Sequence, residues 1–593
     1  MASGMDSTRN VPPNACRYNR IKTNIMNSIW IVISSLVIFV AAYYTYGNFI
    51  AKKVFMADRG NPVPSEELRD DVDYVPTNKE VLFGHHFASI AGTGPIVGPA
   101  IAVIWGWVPA LVWIILGSIF AGAVHDYGSL MISVRKKGVS IGELSKEVIN
   151  PRVRTLFLVI ILFALWIVVA IFGMVIAIIF KIYPQSVFPV WVQIPLAVSI
   201  GWLAYKKKMN ITALSIVAVF LMYLSILAGV RMPLEMPGMF GLTPMALWII
   251  ILFAYAYVAS VLPVWSLLQP RDYVNSHQLI IGIVLIVLGV FVARPVMVAP
   301  AFQAAPVGAP PILPFLFITI ACGAISGFHS LVSSGTTSKQ LKNEEDVHFI
   351  AYGGMLTEGV LGVLVIVAVG AGIGMFVRTE GGEVLRGLAA WQYHYGSWEA
   401  AQGLTAKVTA FVNGSSNMLT SLGIPLEYGQ AIVGVLIASF AGTTLDTATR
   451  IQRYVVSELA KDHGIKPLTN RYVSTFVVVL AAALLAFSEG SGAGALLLWP
   501  LFGSSNQILA GLVLLVVTVY LVKEQKKISW PVAIPMLFMV VTSIWAMTVG
   551  LIHFFNTGST LRFVIGGMLM LLEIWMIVEA VGCLRRTAVS FKL

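Results

Sequence analysis

Apolar runs of about 20 residues recur along almost the whole chain, and this recurrence narrows the fold more than any other feature. A helix of that length crosses the roughly 30 Å of hydrocarbon in a bilayer, whereas a barrel strand needs only about ten residues. Such runs lie near 25–50, 83–104, 108–134, 154–180, 189–205, 210–230, 245–268, 277–294, 313–336, 349–377, 428–456, 471–489, 494–522, 530–554 and 561–583. A weaker segment at 404–422 contains Lys407, Asn413 and Asn417 and reads as re-entrant or interfacial. The expectation is an all-α, polytopic integral membrane protein with about 15–16 transmembrane helices. A soluble domain is excluded, because the chain is 58% hydrophobic and only 11% charged, with a mean hydropathy of +0.84.

The formal charge of +11 fits basic loops better than nucleic-acid binding. With the N-terminus outside, 28 of the 39 Lys and Arg fall in connections on the inner side, Arg271 counted among them as a loop charge. This bias predicts a cytoplasmic C-terminus, against which Arg9, Arg17, Arg20 and Lys22 lie outside. The first apolar run is too long for a signal-peptide core and is kept as a span. Cys16, Cys322 and Cys583 are far apart, so neither a disulfide framework nor a close-spaced metal motif is expected. The mixed-charge stretch 58–80 reads as a short solvated linker.

Residues 82–106, LFGHHFASIAGTGPIVGPAIAVIWG, are apolar enough to span yet carry Gly92, Gly94, Gly98, Pro95 and Pro99 in their middle. In helical geometry the prolines would leave the carbonyls of Ala91 and Pro95 without donors. Unpaired backbone at that depth is tolerated only inside protein or beside a watery cavity, and paired broken helices hold substrate and coupling ion in many secondary transporters. Five spans on, Pro263 in 245–268 again frees a carbonyl, that of Ala259, and the two spans enter from opposite sides. A five-plus-five inverted-repeat core with two broken helices is therefore expected. The division that follows is a polar N-terminal tail at 1–24, a first transmembrane helix and linker at 25–80, a transporter core at 81–400 and a C-terminal transmembrane region at 401–593.

The half-helix N-terminus at Gly92, Thr93, Gly94 and Pro95 suits a carboxylate, although small residues also serve close helix packing. His85 and His86 stand beside it as candidate proton relays, or as an interfacial pair bonded to water and carbonyls. Asp126 lies midway through its span, either functional or simply paired with a neighbouring histidine. In ISGFHSLVSSGTTSKQL, His329, Ser333 and Thr336 or Thr337 share a helical face, with Ser334 beside them, as substrate ligands or as hydroxyls bonding their own backbone. Thr443, Asp446, Arg450 and Arg453 share another face, where Asp446 and Arg450 are expected to pair as a buried bridge. Glu358, Glu489, Asn506 and Gln507 are polar groups whose roles stay open. HExxH, Walker A and GxSxG motifs are missing, which argues against an enzyme and against an ATP-driven pump.

Four stretches, DYVPTNKEVLFGHHFASIAGTGPIVGPAIA, AGAVHDYGSLMISVRKKGVSIGEL, ISGFHSLVSSGTTSKQL and GTTLDTATRIQRYVVSEL, resemble the carbon starvation protein A family. The resemblance runs from about residue 25 to 570. It implies uptake of pyruvate or peptides coupled to protons in nutrient-limited bacteria, and membership of the amino acid-polyamine-organocation superfamily with its five-plus-five repeat.

The reading is a secondary transporter of the cell inner membrane. Its substrate site comprises Gly92, Thr93, Gly94, Pro95, Tyr255, Pro263, Ser333, Ser334 and Thr337; its coupling groups are His85, His86, Asp126, His329 and Asp446. Its partners are pyruvate or a peptide, a proton or sodium ion, and membrane lipid, with no nucleic acid and no cofactor. A peptide would need an acidic second anchor, such as Asp126 or Glu358. Two other classes remain: a membrane sensor, and a metalloenzyme holding a metal through His85, His86, His125, Asp126 and His329.

Overall fold

The computed structural model describes residues 27–590 apart from Glu380, Gly490, Ser491 and Ala493. The tail at 1–24 lies outside them. The chain is built of helices, with one two-stranded ribbon, Val377–Arg378 against Val384–Leu385, among the described residues. Among the described residues twelve helices are long and apolar enough to cross a membrane, or thirteen when the pair Lys79–Ile90 and Gly94–Trp105, bent by 48°, counts as one span. Every apolar run of the sequence is helical, but two fall short of a span, which lowers the expected count. Arg471–Ala486 has 16 residues. The run at 313–336 is split into Ile312–Thr319 and Gly327–Gly335.

The second break therefore lies at 320–326, not at Pro263. Pro244–Val261 is an unbroken helix that stops before Leu262, whose extended backbone (φ −70°, ψ 153°) is what a residue preceding proline favours. The first break runs through Ala91, Gly92 and Thr93. There Pro95 occupies the first turn of Gly94–Ala102, where no helical donor is needed, so its ring opens the second half-helix.

The main hydrophobic core runs from Ile31 to Cys583, with three small clusters beside it. The apolar stretch of Leu498–Gln525 is wholly buried, and those of His348–Met375 and Leu426–Asp462 nearly so, whereas Thr560–Thr587 and Ser28–Val54 are largely exposed to the surroundings. Two ends of the molecule are tied by separate sets of contacts. At one end Arg135 pairs with Glu344, Arg154 bonds Glu143 and Asp462, Asn150 bonds Glu579, and Arg450 pairs with Asp73. At the other, Ser28 bonds Pro295, Trp107 bonds Pro300, Trp398 bonds Val307 and Tyr395 bonds Ala100. The basic connections around 58–80, 135–154, 339–344 and 450–462 thus share the first end. Helix Leu404–Thr420 is preceded by Trp398 and followed by the start of Leu426–Asp462, both at the second end, so it returns to the end it left.

The linker is more than a solvated tether. Val75 N–H donates to the Lys339 carbonyl (3.2 Å) and Thr77 N–H to that of Gln340 (2.9 Å), so it is stitched onto the basic end.

Candidate functional site

The two breaks meet. A Cβ at Gly94 would collide with the Cys322 side chain, and one at Gly98 with the Thr319 carbonyl, so only glycine lets the two broken segments lie this close. A Cβ at Gly92 would fall 2.6 Å from Thr444 Oγ1 and 2.9 Å from the Phe172 ring. Neighbouring helices serve the interrupted backbone. Thr444 Oγ1 donates to the Ser89 carbonyl (3.2 Å), Asn506 Oδ1 accepts from Phe328 N–H (3.0 Å), and Gln507 Nε2 donates to the Phe317 carbonyl (3.1 Å). Asn506 and Gln507, whose roles the sequence left open, are thus the groups by which Ala495–Gln525 stabilises the second break.

Two chains of buried ionisable groups flank the breaks. In the first, Arg271 joins two carboxylates: its guanidinium donates to Asp272 Oδ1 (2.6 and 3.0 Å) and to both oxygens of Asp446, one of them at 3.1 Å. Tyr255 OH donates to Asp446 Oδ2 (3.0 Å) and accepts from Arg271. Asp272 Oδ2 meets His85 Nδ1 at 2.6 Å, and His85 Nε2 meets Thr336 Oγ1 at 3.1 Å. Thr443 Oγ1 and Asn275 complete the set.

In the second chain, His329 stands between two carboxylates, with Nδ1 2.9 Å from Asp126 Oδ2 and Nε2 3.2 Å from Glu358 Oε2. His125 Nδ1 meets the other oxygen of Asp126 at 2.7 Å. The Glu358 contact is close but not aligned as a hydrogen bond. Both Glu358 oxygens, and Nε2 of His86, His125 and His329, are buried without a hydrogen-bond partner. His86 Nδ1 is 2.9 Å from Thr337 Oγ1. Its ring lies against Gly354, where an added Cβ would come within 3.4 Å, one turn from Glu358.

Among the expected substrate residues, Gly92, Thr93, Gly94 and Pro95 sit at the break. Thr337 is bound to His86, and Tyr255 belongs to the Arg271 chain. Ser334 accepts from Ile141 N–H (3.0 Å) and donates to the Ser330 carbonyl (2.7 Å), so it braces its helix. Ser333 Oγ is buried and unpaired. Pro263 lies beyond its helix and away from the breaks. The expected Asp446–Arg450 bridge does not form, because Arg271 takes Asp446. Arg450 instead donates to the carbonyls of Ala259 (3.2 Å) and Leu262 and pairs with Asp73 (3.1 Å), serving the carbonyl that Pro263 frees. Arg271 is not a loop charge; it is buried within Leu268–Ala293. Glu489 is an exposed turn residue.

Among the described residues no group of three or more His, Cys, Asp or Glu is arranged to hold a metal ion. His85, His86, His125 and His329 are divided between the two chains and the Thr337 contact. Beside the breaks lies a cavity of about 650 Å³, bounded by Gly94 and Gly98 of the first and Cys322 of the second.

The family model for carbon starvation protein CstA matches residues 27–546. The chain belongs to the carbon starvation protein CstA family. Similar curated proteins include the peptide transporter CstA of Bacillus subtilis, 35% identical over 540 residues, covering 87% of this chain and 89% of that protein. The peptide transporter CstA of Mycobacterium tuberculosis (strain ATCC 25618 / H37Rv) is 34% identical, with 86% and 74% covered. The pyruvate/proton symporter BtsT of Escherichia coli is 32% identical, with 88% and 81% covered. A solved structure of a mutant manganese transporter from Eremococcus coleocola aligns at 12% identity over 88% of this chain and 99% of that one, with a TM-score of 0.47.

Proposed function

We propose that the protein is a multi-pass secondary transporter of the plasma membrane that takes up pyruvate or a small peptide with an ion, in this reading a proton. The observation that carries the proposal is the meeting of two mid-span breaks beside a buried chain of histidines and carboxylates that no Lys or Arg compensates. Interrupted helices supply backbone groups for a substrate, and the second chain supplies groups whose charge can change. Similarity to proteins named peptide transporter and pyruvate/proton symporter supports the same reading.

Substrate would sit between Gly92–Pro95 and the segment 320–326, with Ser333 as a free hydroxyl nearby. His86, Asp126, His329 and Glu358 would carry the proton. His85, Tyr255 and Asp446 would hold the surrounding helices through Arg271, and Thr337 would orient His86. The basic end, and with it the C-terminus, would face the cytoplasm.

The test is uptake of labelled pyruvate and of a labelled dipeptide into proteoliposomes under a proton gradient, a sodium gradient or neither. Accumulation driven only by the proton gradient is expected. Accumulation of neither compound under either gradient would overturn the proposal.

A further inference from the structure

The cavity beside the breaks is walled on its far side by parts of the chain outside both ionisable chains: Lys407 of helix Leu404–Thr420, Trp499, and His553 and Arg562 near the turn between the last two spans. It lies toward the end of the molecule that carries Pro310 and Trp398, opposite the end that carries Arg135 and Arg450. Its charged lining residues are Lys407 and Arg562, and no Asp or Glu lines it among the described residues.

Lys407 is the unusual member. It is only 5% exposed, yet among the described residues it makes no ion pair or side-chain hydrogen bond; its ammonium lies over the Trp499 ring, 5.3 Å from the centroid. An aromatic face offsets part of the cost of burying a cation but supplies no counter-charge. Arg562 is placed in the same way, over the Phe554 ring at 5.5 Å. Two cations held by aromatic faces in a cavity without acids attract an anion.

We infer that this cavity is an anion-binding vestibule, in which Lys407 receives the carboxylate of a small organic acid on its way to the breaks. This rests on the transporter reading above and narrows its substrate. A peptide's amino group would find no acidic partner here, since Asp126 is taken by His125 and His329, and Glu358 faces His329. The Trp499, Phe502 and Phe554 side chains suit the short apolar body of a 2-oxo acid. An acidic lipid headgroup offers the same negative oxygens, so the test must separate a soluble acid from a lipid.

The experiment is equilibrium binding of labelled pyruvate to purified protein in nanodiscs, without any gradient. Wild type, Lys407→Gln, Lys407→Arg and Arg562→Gln are compared in zwitterionic lipid. Lys407→Gln is expected to weaken binding at least tenfold, Lys407→Arg to restore it to within about threefold of wild type, and Arg562→Gln to weaken it less. Removing an unpaired buried charge should leave the fold intact, which size-exclusion and melting profiles report. Should Lys407→Gln fail to fold, competition in the wild type decides, with acetate expected to displace pyruvate and methyl pyruvate not. Equal binding by Lys407→Gln, or displacement by methyl pyruvate as effective as by acetate, would overturn the inference. Loss of pyruvate binding when phosphatidylglycerol replaces the zwitterionic lipid would also overturn it, by assigning the cavity to a headgroup. Lys407-dependent binding without uptake in proteoliposomes would sink the transport reading and leave this site standing; uptake indifferent to Lys407 would do the reverse.

Discussion

The two buried ionisable chains have similar ingredients and opposite finish. Around Arg271 each carboxylate has a cation or hydrogen-bond donors, and the groups come from four helices: His85 from Lys79–Ile90, Tyr255 from Pro244–Val261, Arg271 and Asp272 from Leu268–Ala293, and Asp446 from Leu426–Asp462. Around His329 no Lys or Arg appears among the described residues, and several ring nitrogens and both Glu358 oxygens lack hydrogen-bond partners. Groups that are fully satisfied in a low-dielectric interior resist change, while unsatisfied ones are strained in any single charge state. The first chain reads as a clasp and the second as the part whose protonation can vary during a transport cycle.

Four predictions test that contrast, from the largest effect to the smallest. Arg271→Met strands two buried carboxylates and is expected to cost about 3–5 kcal/mol, the usual penalty for removing one partner of a buried pair. Melting temperature and yield of monodisperse protein should fall sharply, and a variant as stable as wild type would show that the clasp is not structural. Glu358→Gln removes a charge that has no fixed counter-ion, so the protein should fold normally. Proton-driven accumulation is expected to drop at least tenfold, while exchange of substrate across the membrane without a gradient continues. Loss of both activities together would instead make Glu358 a substrate ligand.

Asn506→Ala removes the acceptor for Phe328 N–H at the second break and should cost about 1 kcal/mol, as lost helix caps do. Hydrogen exchange at 326–329 is expected to quicken, with little change around Arg271. The smallest effect concerns the linker. Burial alone would push the Asp73 pKa up, but Arg450, Lys339 and Arg453 together with the Tyr454 hydroxyl outweigh it and hold the carboxyl below its usual value. A depressed carboxylate stabilises the docked linker above the ordinary Asp range, near pH 4, and that contribution is lost as pH falls through the lowered value. Asp73→Asn should cost about 1 kcal/mol or less at pH 7, given the partial exposure of this side chain. Proteolysis of the linker at pH 7 should quicken in the variant, and pH-independent protection from pH 7 down to 3 in the wild type would refute the assignment.

The positions of the apolar runs were legible in the sequence, because hydrocarbon thickness imposes a length on them, and so was the first break, which falls at the Gly92, Gly94 and Pro95 end of the glycine-proline cluster, while Gly98 and Pro99 lie within the second half-helix. The second break was not. Residues 320–326 read IACGAIS, with one glycine and no proline, and what interrupts the helix there is tertiary: Asn506 and Gln507, 180 residues away, bind the groups a helix would have used. Pro263 misled for the complementary reason, since a proline ends a helix as readily as it breaks one. Asp126, His329 and Asp446 stood out because charges are rare in spans. Arg271 looked like a loop charge only because the chain enters the next helix at Leu268, well before the apolar run that hydropathy places near 277. The Asp446–Arg450 spacing was correct for a pair, but spacing along one helix cannot anticipate a better partner on another.

Helix Leu426–Asp462 has 37 residues, a rod roughly 55 Å long. Five side chains grip its surroundings at every fourth position: Asp446 holds Arg271, Arg450 and Tyr454 hold Asp73, Glu458 holds Ser140 and Asp462 holds Arg154. Positions four apart advance by about 40° around an α-helix, so these grips wind through about 160° from first to last. A rod pinned along a spiral neither swivels nor yields at one end alone. It releases its neighbours in concert or stays put, which would give this transporter two discrete settings rather than a continuum between them.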